Sequence, residues 1–242
     1  MKQIRHSTFS VIIPTLWRPT TIIQLLQNLD SSHLVSEIII IDNARQARPS
    51  LPNLRKIKLI DPGKNLYVNP SWNMGVEMAQ QNLICICNDD VLFDFNLIAD
   101  FLLNTNALKG IVGIHPSSFS KETWLSDHVQ LHNSCHLSQM WGCILFLKKR
   151  TYRSIPGSLK IWFGDNWLEY YCRPSKSIIT KVITKHSESV ADPAFQNVLG
   201  QDVDNWHNRT IPLGLQWRNL RKRVLSRTTS KIKKIFAKPG LN

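Results

Sequence analysis

The sequence predicts an α/β domain: a three-layer αβα sandwich around a mostly parallel central sheet. Three observations point there. Runs such as Ile38-Ile39-Ile40-Ile41 and Leu83-Ile84-Cys85-Ile86-Cys87 have the length and unbroken apolar character of strands buried on both faces. Segments with helical apolar spacing lie between them, so strand and helix alternate. Several strands also end in polar residues, Pro14-Thr15, Asp42-Asn43 and Asp89-Asp90, and in an open α/β sheet ligands sit outside the carboxyl ends of the strands.

Phe9-Ser10-Val11-Ile12-Ile13-Pro14-Thr15 reads as the first strand, stopped by its proline. Leu16-Trp17-Arg18-Pro19-Thr20 leads into a helix with apolar positions at Ile22, Ile23, Leu25, Leu26 and Leu29, and Pro19 suits its first turn. Glu37 to Ile41 is the second strand, and Leu54 to Ile60 alternates as a third, closed by Asp61-Pro62-Gly63. A loop from Lys64 feeds a helix running to about Gln81, which leads into the strand ending at Asn88-Asp89-Asp90. Phe95 to Leu108 is an amphipathic helix, and Ile111 to Ile114 a strand.

The second half is less regular. Lys121 to Gln139 is polar and His-rich and reads as a hairpin or a flap. Met140 to Leu147 has strand character, with Gly142 marking a close backbone approach. An aromatic loop, Ile161-Trp162-Phe163-Gly164-Asp165-Asn166-Trp167, opens a helix. Ser177 to Thr184 alternates as a strand ending at Lys185-His186-Ser187, and Asp192 to Asn208 reads as a helix.

The formal net charge of +13 is unevenly placed. Residues 217–242 hold nine of the 30 Lys and Arg and no acid, so the other 216 residues carry 21 basic and 17 acidic groups. An excess confined to a tail argues against a nucleic-acid-binding body, which would spread its cations over one face. Five cysteines without a CxxC pair suit reduced thiols in a cytoplasmic protein. No apolar run reaches the length of a membrane span, and Met1 to Ser10 is too polar for a signal peptide.

Two adjacent carboxylates at a buried strand end repel and lose hydration, so they call for a divalent cation or a hydrogen-bonded partner. They can also be read as a turn that caps the helix beginning near Phe93.

The order of elements from Phe9 to about His186 resembles the inverting glycosyltransferases of the GT-A fold, in particular the family 2 type that includes bacterial rhamnosyltransferases. Val11-Ile12-Ile13-Pro14-Thr15 is similar to that family's opening strand, and Ile41-Asp42-Asn43 to its second, whose aspartate contacts the nucleotide base. Asn65, Asn69, Asn73 and Gly75 resemble its Asn- and Gly-containing loop and helix start. Asn88-Asp89-Asp90 stands where the family carries its DxD-type metal motif, with Asn88 in place of the first acid.

The resemblance implies a glycosyltransferase that moves a hexosyl or deoxyhexosyl group, with inversion, from a UDP- or dTDP-sugar to an acceptor hydroxyl. It implies Mn²⁺ or Mg²⁺ held by Asp90, with Asp89 near the ribose or the metal's waters, and a late histidine, His186, completing the metal or diphosphate site. Phe163-Gly164-Asp165-Asn166 is similar to the family's acidic helix start, usually a pair of acids whose second member is the base. Asn166 takes that second place here, which leaves Asp165 as the base; a helix cap is its alternative role. Pro14, Thr15, Arg18, Asp42, Asn43, Asn65, Asn73, Asp89, Trp141 and Gly142 are the implied donor contacts. For Trp141 beside Gly142, a core tryptophan on a packing glycine is the competing reading.

The implied organisation is a transferase domain over 1–212, with a nucleotide-binding half at about 8–115 and an acceptor half at about 116–212, followed by a basic tail over 213–242. Glycan or lipid-linked acceptors are the expected partners, and the tail could meet an anionic membrane as a basic, weakly amphipathic helix. A nucleotidyltransferase would carry a Gly-rich loop after the first strand, and Pro14 to Arg18 has no glycine. A non-catalytic nucleotide-sugar-binding fold is compatible with Asn88 and Asn166.

Overall fold

The structure is a computed structural model that describes residues 7–44, 48–120, 127–133, 140–184 and 193–209. In chain order they form β1 (Phe9–Thr15), α1 (Ile22–Ser31), β2 (Val35–Asp42), β3 (Ile57–Ile60), α2 (Val68–Met78), β4 (Leu83–Cys87), β5 (Val91–Phe93), α3 (Phe95–Asn104) and β6 (Ile111–Ile114). Then come β7 (Gln130–Asn133), β8 (Ile144–Lys148), α4 (Gly164–Tyr171), β9 (Ser175–Ile179), β10 (Val182–Thr184) and α5 (Pro193–Asp204).

Eight strands make one sheet in the order β3-β2-β1-β4-β8-β6-β9-β7. The first four are parallel; β8 and β7 run against the other six. The predicted sandwich is therefore present, with helices on both faces. Alternation along each buried strand divides the core. Phe9, Val11 and Ile13 of β1 and Cys85 of β4 pack with Leu25 and Leu26 of α1 and Ile98 and Leu102 of α3. Ile12, Ile84 and Ile86 turn the other way, toward Trp72 and Val76 of α2 and Leu168 of α4.

Several boundaries moved. β3 starts at Ile57 rather than Leu54, because the Lys56 N–H is taken by the Asp30 carboxylate at 2.8 Å. α3 stops at Asn104, four residues early, and Asn106 turns the chain at φ 49°. Residues 140–147 are not one strand: Met140, at φ 73°, starts a 3-10 turn over Trp141–Cys143 before β8. The strand expected over 177–184 is two. β9 joins the main sheet, whereas β10 leaves it and pairs antiparallel with β5, Thr184 opposite Val91. Within the His-rich segment, expected as a hairpin or a flap, β7 pairs antiparallel with β9; most of that segment lies outside the described residues, as do His186 and the tail.

One buried charge secures the end of the sheet remote from the acids. Glu37 is 3% exposed and accepts Ser10 Oγ at 2.5 Å, the Gln80 N–H at 2.6 Å and Lys58 Nζ at 2.5 Å. Burial alone would raise its carboxyl, but Lys58, Ser10 and Gln80 outweigh that and hold it below the usual range. Its stabilisation is thus present above the ordinary glutamate range and is lost as pH falls through the depressed value. Glu37→Gln should cost about 2 kcal/mol, lowering Tm by roughly 4–8 °C in thermal melts at pH 7. An unchanged melting temperature would rule out this role.

Candidate active site

The crevice opens where two ladders stop at different places. β1 pairs with β2 as far as Thr15 opposite Asp42, but with β4 only as far as Ile12 opposite Ile86. Pro14, buried, supplies no N–H to extend the β4 ladder. Beyond it, side chains bridge the gap. Thr15 Oγ1 donates to Asp89 Oδ2 at 2.6 Å and accepts the Trp17 N–H at 2.8 Å. The Leu16 N–H also reaches the Asp89 carboxylate.

Asp89 and Asp90 do not cap the following helix. Asp94 does that, accepting the Leu97 N–H at 3.0 Å. The acids instead occupy the turn between β4 and β5, with Asp90 3% exposed. Burial pushes the Asp89 carboxyl up to about 6, against the pull of the Thr15 hydroxyl and reinforced by the Asp90 charge.

Across the turn, the Asn88 N–H donates to the Cys143 carbonyl at 2.9 Å, which sets the Trp141–Cys143 turn beside the acids. A β-carbon at Gly142 would stand 2.5 Å from Asp165 Cβ, so only glycine lets the first turn of α4 approach this closely. Burial, then the charges of Asp90 and Asp165, drive the Cys143 thiol far above its ordinary value, so both carboxylates lie close to this turn. Asp165 itself is pushed up by burial, partly offset by the Asn166 N–H and reinforced by Glu169. The Asn166 N–H meets Asp165 Oδ1 at 2.9 Å. Asp42, Thr15, Asp89-Asp90 and Gly142 thus follow one another in strand order along one mouth, with Asp165 of α4 against Gly142.

The other expected contacts separate into groups. Asp42, 2% exposed, accepts the Ala44 N–H at 2.9 Å and pairs with Arg48, which bridges to Asp61 at 2.7 Å. Asn43 ties β2 to the start of α2, accepting the Leu66 N–H at 2.9 Å and donating to Ser71 Oγ at 2.9 Å. Asn65 accepts the Tyr67 N–H at 2.7 Å and so shapes the loop before α2. Asn73 faces away from the mouth: its amide exchanges hydrogen bonds with the Ile155 backbone at 2.8 and 2.9 Å and accepts Tyr152 Oη at 2.8 Å. Trp141 is 4% exposed, its ring over Gly113 and its N–H 3.0 Å from Ser177 Oγ, which places the indole beneath the turn as packing. Arg18 is exposed, its guanidinium 5.7 Å from the Phe195 ring centroid.

Backbone strain gathers here too. Among the described residues five non-glycine residues have positive φ, and four of them, Trp17, Tyr67, Met140 and Phe163, lead into the loops and turns that build the mouth. Each such residue costs on the order of 1–3 kcal/mol and persists where its surroundings over-determine it. Sequence reasoning missed Arg48, a cation six residues after the acid it pairs with, and Asp202, an acid between the buried Val198 and Trp206 at helical spacing.

Among the described residues no three His, Cys, Asp or Glu side chains gather into a metal cage. The donor set still suits Mg²⁺ or Mn²⁺, which protein sites commonly hold through one or two carboxylates, leaving other positions to water and substrate phosphate. The raised Asp89 fits a site whose anions are compensated by a bound cation.

The family model described as glycosyl transferase family 2 matches residues 10–168, which take in the mouth from β1 to the first turns of α4. The chain belongs to that family. No curated protein matches its sequence. Among solved structures, this family 2 chain is similar to S. aureus TarS, with 15% identity and TM-score 0.52 over 86% of this chain and 41% of that one. It thus spans about two fifths of that TarS chain. Residues 1–349 of TarS align with 13% identity and TM-score 0.53, over 88% of this chain and 78% of that one. The same TarS segment in complex with UDP-GlcNAc aligns with 12% identity and TM-score 0.54, over 86% and 69%. At these identities the likeness is one of fold.

Proposed function

We propose that this family 2 chain is an inverting, metal-assisted glycosyltransferase that moves a hexosyl or deoxyhexosyl group from a nucleotide-diphosphate sugar to an acceptor hydroxyl. The reading rests on one observation: at the carboxyl end of β4 the Trp141–Cys143 turn touches both acidic segments, the Asn88-Asp89-Asp90 turn through the Cys143 carbonyl and Asp165 through Gly142. Two acidic stations serve two tasks. Asp90 and Asp89 would hold a Mg²⁺ or Mn²⁺ that neutralises charge growing on the leaving diphosphate. Asp165 takes the proton of the acceptor hydroxyl as its oxygen bonds the anomeric carbon and the bond to the diphosphate breaks. A carboxyl raised by burial is a better base for a hydroxyl than an ordinary one.

Asp42, Asn43 and Thr15 line the nucleoside end, with Arg48 beside Asp42. An acceptor next to a donor suits the imide edge of a uracil or thymine, and a neighbour of the same fold was solved with UDP-GlcNAc. A thermal-shift panel of UDP, dTDP, GDP and ADP, each with and without Mn²⁺, tests the reading. Metal-dependent stabilisation by UDP or dTDP that disappears in Asp90→Ala is expected; no metal-dependent shift with any nucleotide would defeat it.

No helix among the described residues is long and apolar enough to cross a membrane. We place the acceptor among glycans or lipid-linked glycans, with residues 217–242 as the contact to an anionic surface. Flotation with phosphatidylglycerol vesicles should lose the protein when that segment is removed; equal partitioning with and without it would remove the membrane contact.

A further inference from the structure

The base proposed above sits in the first turn of α4, and the loop that leads into that turn is held in part from outside the family-matched region. Asp202, on α5 and fully buried, accepts three successive backbone N–H groups: Lys160 at 2.8 Å, Ile161 at 2.8 Å and Trp162 at 2.9 Å. Three donors aimed at one carboxylate form an anion-binding nest, here filled by a side chain of the same chain. Asn205 and Trp206, three and four residues further along, reinforce it. Trp206 stacks on Phe163, with ring centroids 4.9 Å apart and planes 9° from parallel, and Asn205 Nδ2 donates to the Ser158 carbonyl at 2.9 Å.

The same loop is also held from the start of α2. The Asn69 N–H donates to the Lys160 carbonyl at 2.9 Å and its Nδ2 to the Trp162 carbonyl at 3.2 Å. A β-carbon at Gly164 would lie 2.0 Å from Asn69 Oδ1, so the start of α4 rests directly on that amide. Between these grips Phe163 adopts φ 66° and the chain turns into Gly164-Asp165. Asp165 meets Gly142 three residues beyond the last N–H that Asp202 holds.

We infer that Asp202 is a positioning residue for transfer: by capturing the N–H groups of residues 160–162 it sets the α4 N-terminus and so the place of the Asp165 carboxylate. The family match ends at residue 168, and α5 begins at Pro193, so the catalytic unit of this chain extends through α5. The inference rests on the reading of Asp165 as base. A misplacement of about 1 Å in a reacting group costs on the order of 100-fold in rate, which makes a loop clamp visible in turnover.

The experiment compares Asp202→Asn, Trp206→Leu, Asp165→Asn and Glu37→Gln in the full chain. Glu37→Gln removes a buried charge at the remote end of the sheet and reports stability alone. Turnover is read as nucleoside diphosphate released from a panel of UDP- and dTDP-hexoses with Mn²⁺, water serving as the acceptor hydroxyl that takes the sugar and gives its proton to Asp165. Asp202→Asn should lower kcat about 10- to 100-fold, with donor KM within about twofold and UDP affinity unchanged. Trp206→Leu should give the same split, and Glu37→Gln should melt earlier with kcat intact. Amide exchange supplies a substrate-free reading: Asp202→Asn should speed exchange at residues 164–167 and leave β1 and β4 protected. A kcat that stays at the wild-type value in Asp202→Asn while Asp165→Asn is inactive overturns the inference alone, as does unchanged exchange at 164–167. Full turnover in Asp165→Asn removes the base, and the inference with it, while leaving nucleotide binding standing.

Discussion

Asp165→Asn lowers kcat about 10²- to 10⁴-fold, the usual worth of a positioned general base, while donor binding is retained. The change is nearly isosteric: an amide oxygen can still accept the Asn166 N–H that now meets Asp165 Oδ1. α4 begins after Phe163 with no side-chain cap, so the substitution removes no cap and should not lower stability. Burial raises the Asp165 carboxyl and therefore opposes its ionised form in the fold. Such a group favours folding when protonated, and that contribution fades as pH rises through the raised value. The variant should melt at or slightly above the wild-type temperature at pH 7.5. In the wild type, kcat should fall on the acid side above the ordinary aspartate range of about 3.9. A variant with wild-type kcat, or one that loses activity only in step with melting, would return Asp165 to a structural role.

The second large effect is at Asp89. Its carboxyl is pushed up to about 6 by burial, with the Asp90 charge adding to the effect. The folded chain therefore holds a proton that the unfolded chain has lost, and cation-free stability declines as pH rises from about 4 to about 6. A shift of that size corresponds to at most about 3 kcal/mol. Asp89→Asn keeps an oxygen for the Thr15 hydroxyl and removes the charge, so it should raise Tm at pH 7.5 by roughly 5–10 °C without added metal. Stabilisation of the nucleotide complex by Mn²⁺ should drop sharply in the same variant. Wild-type stabilisation by Mn²⁺ should be larger at pH 7.5 than at pH 5, where Asp89 is largely protonated. Melting curves with and without Mn²⁺ at the two pH values decide this; an Asp89→Asn protein that melts no higher and keeps its Mn²⁺ response would contradict it.

Much of this site is legible along the chain because it stands at strand ends. A buried parallel strand needs an unbroken apolar run, so Ile38 to Ile41 and Leu83 to Cys87 announce both themselves and the polar residues that stop them. Asp42, Asp89 and Asp90 are readable for that reason, and the shared mouth follows from the parallel order. Asn73 and Trp141 stand among candidate site residues in the sequence, whereas their side chains answer to partners 82 and 36 positions away. Periodicity also merges β9 with β10, since alternation persists across Thr180-Lys181 although the two strands join different sheets.

The sequence by itself determined the layered α/β architecture, the strand-end acids and the family, because burial on both faces and a polar stop are written into consecutive residues. Only the tertiary structure decided which acid meets which partner: Asp89 with Thr15, Asp42 with Arg48, Asp165 against Gly142, and Asp202 in the nest of residues 160–162. Those pairings depend on where strands end relative to one another and on how closely a glycine lets two segments approach, distances in space that no spacing along the chain encodes.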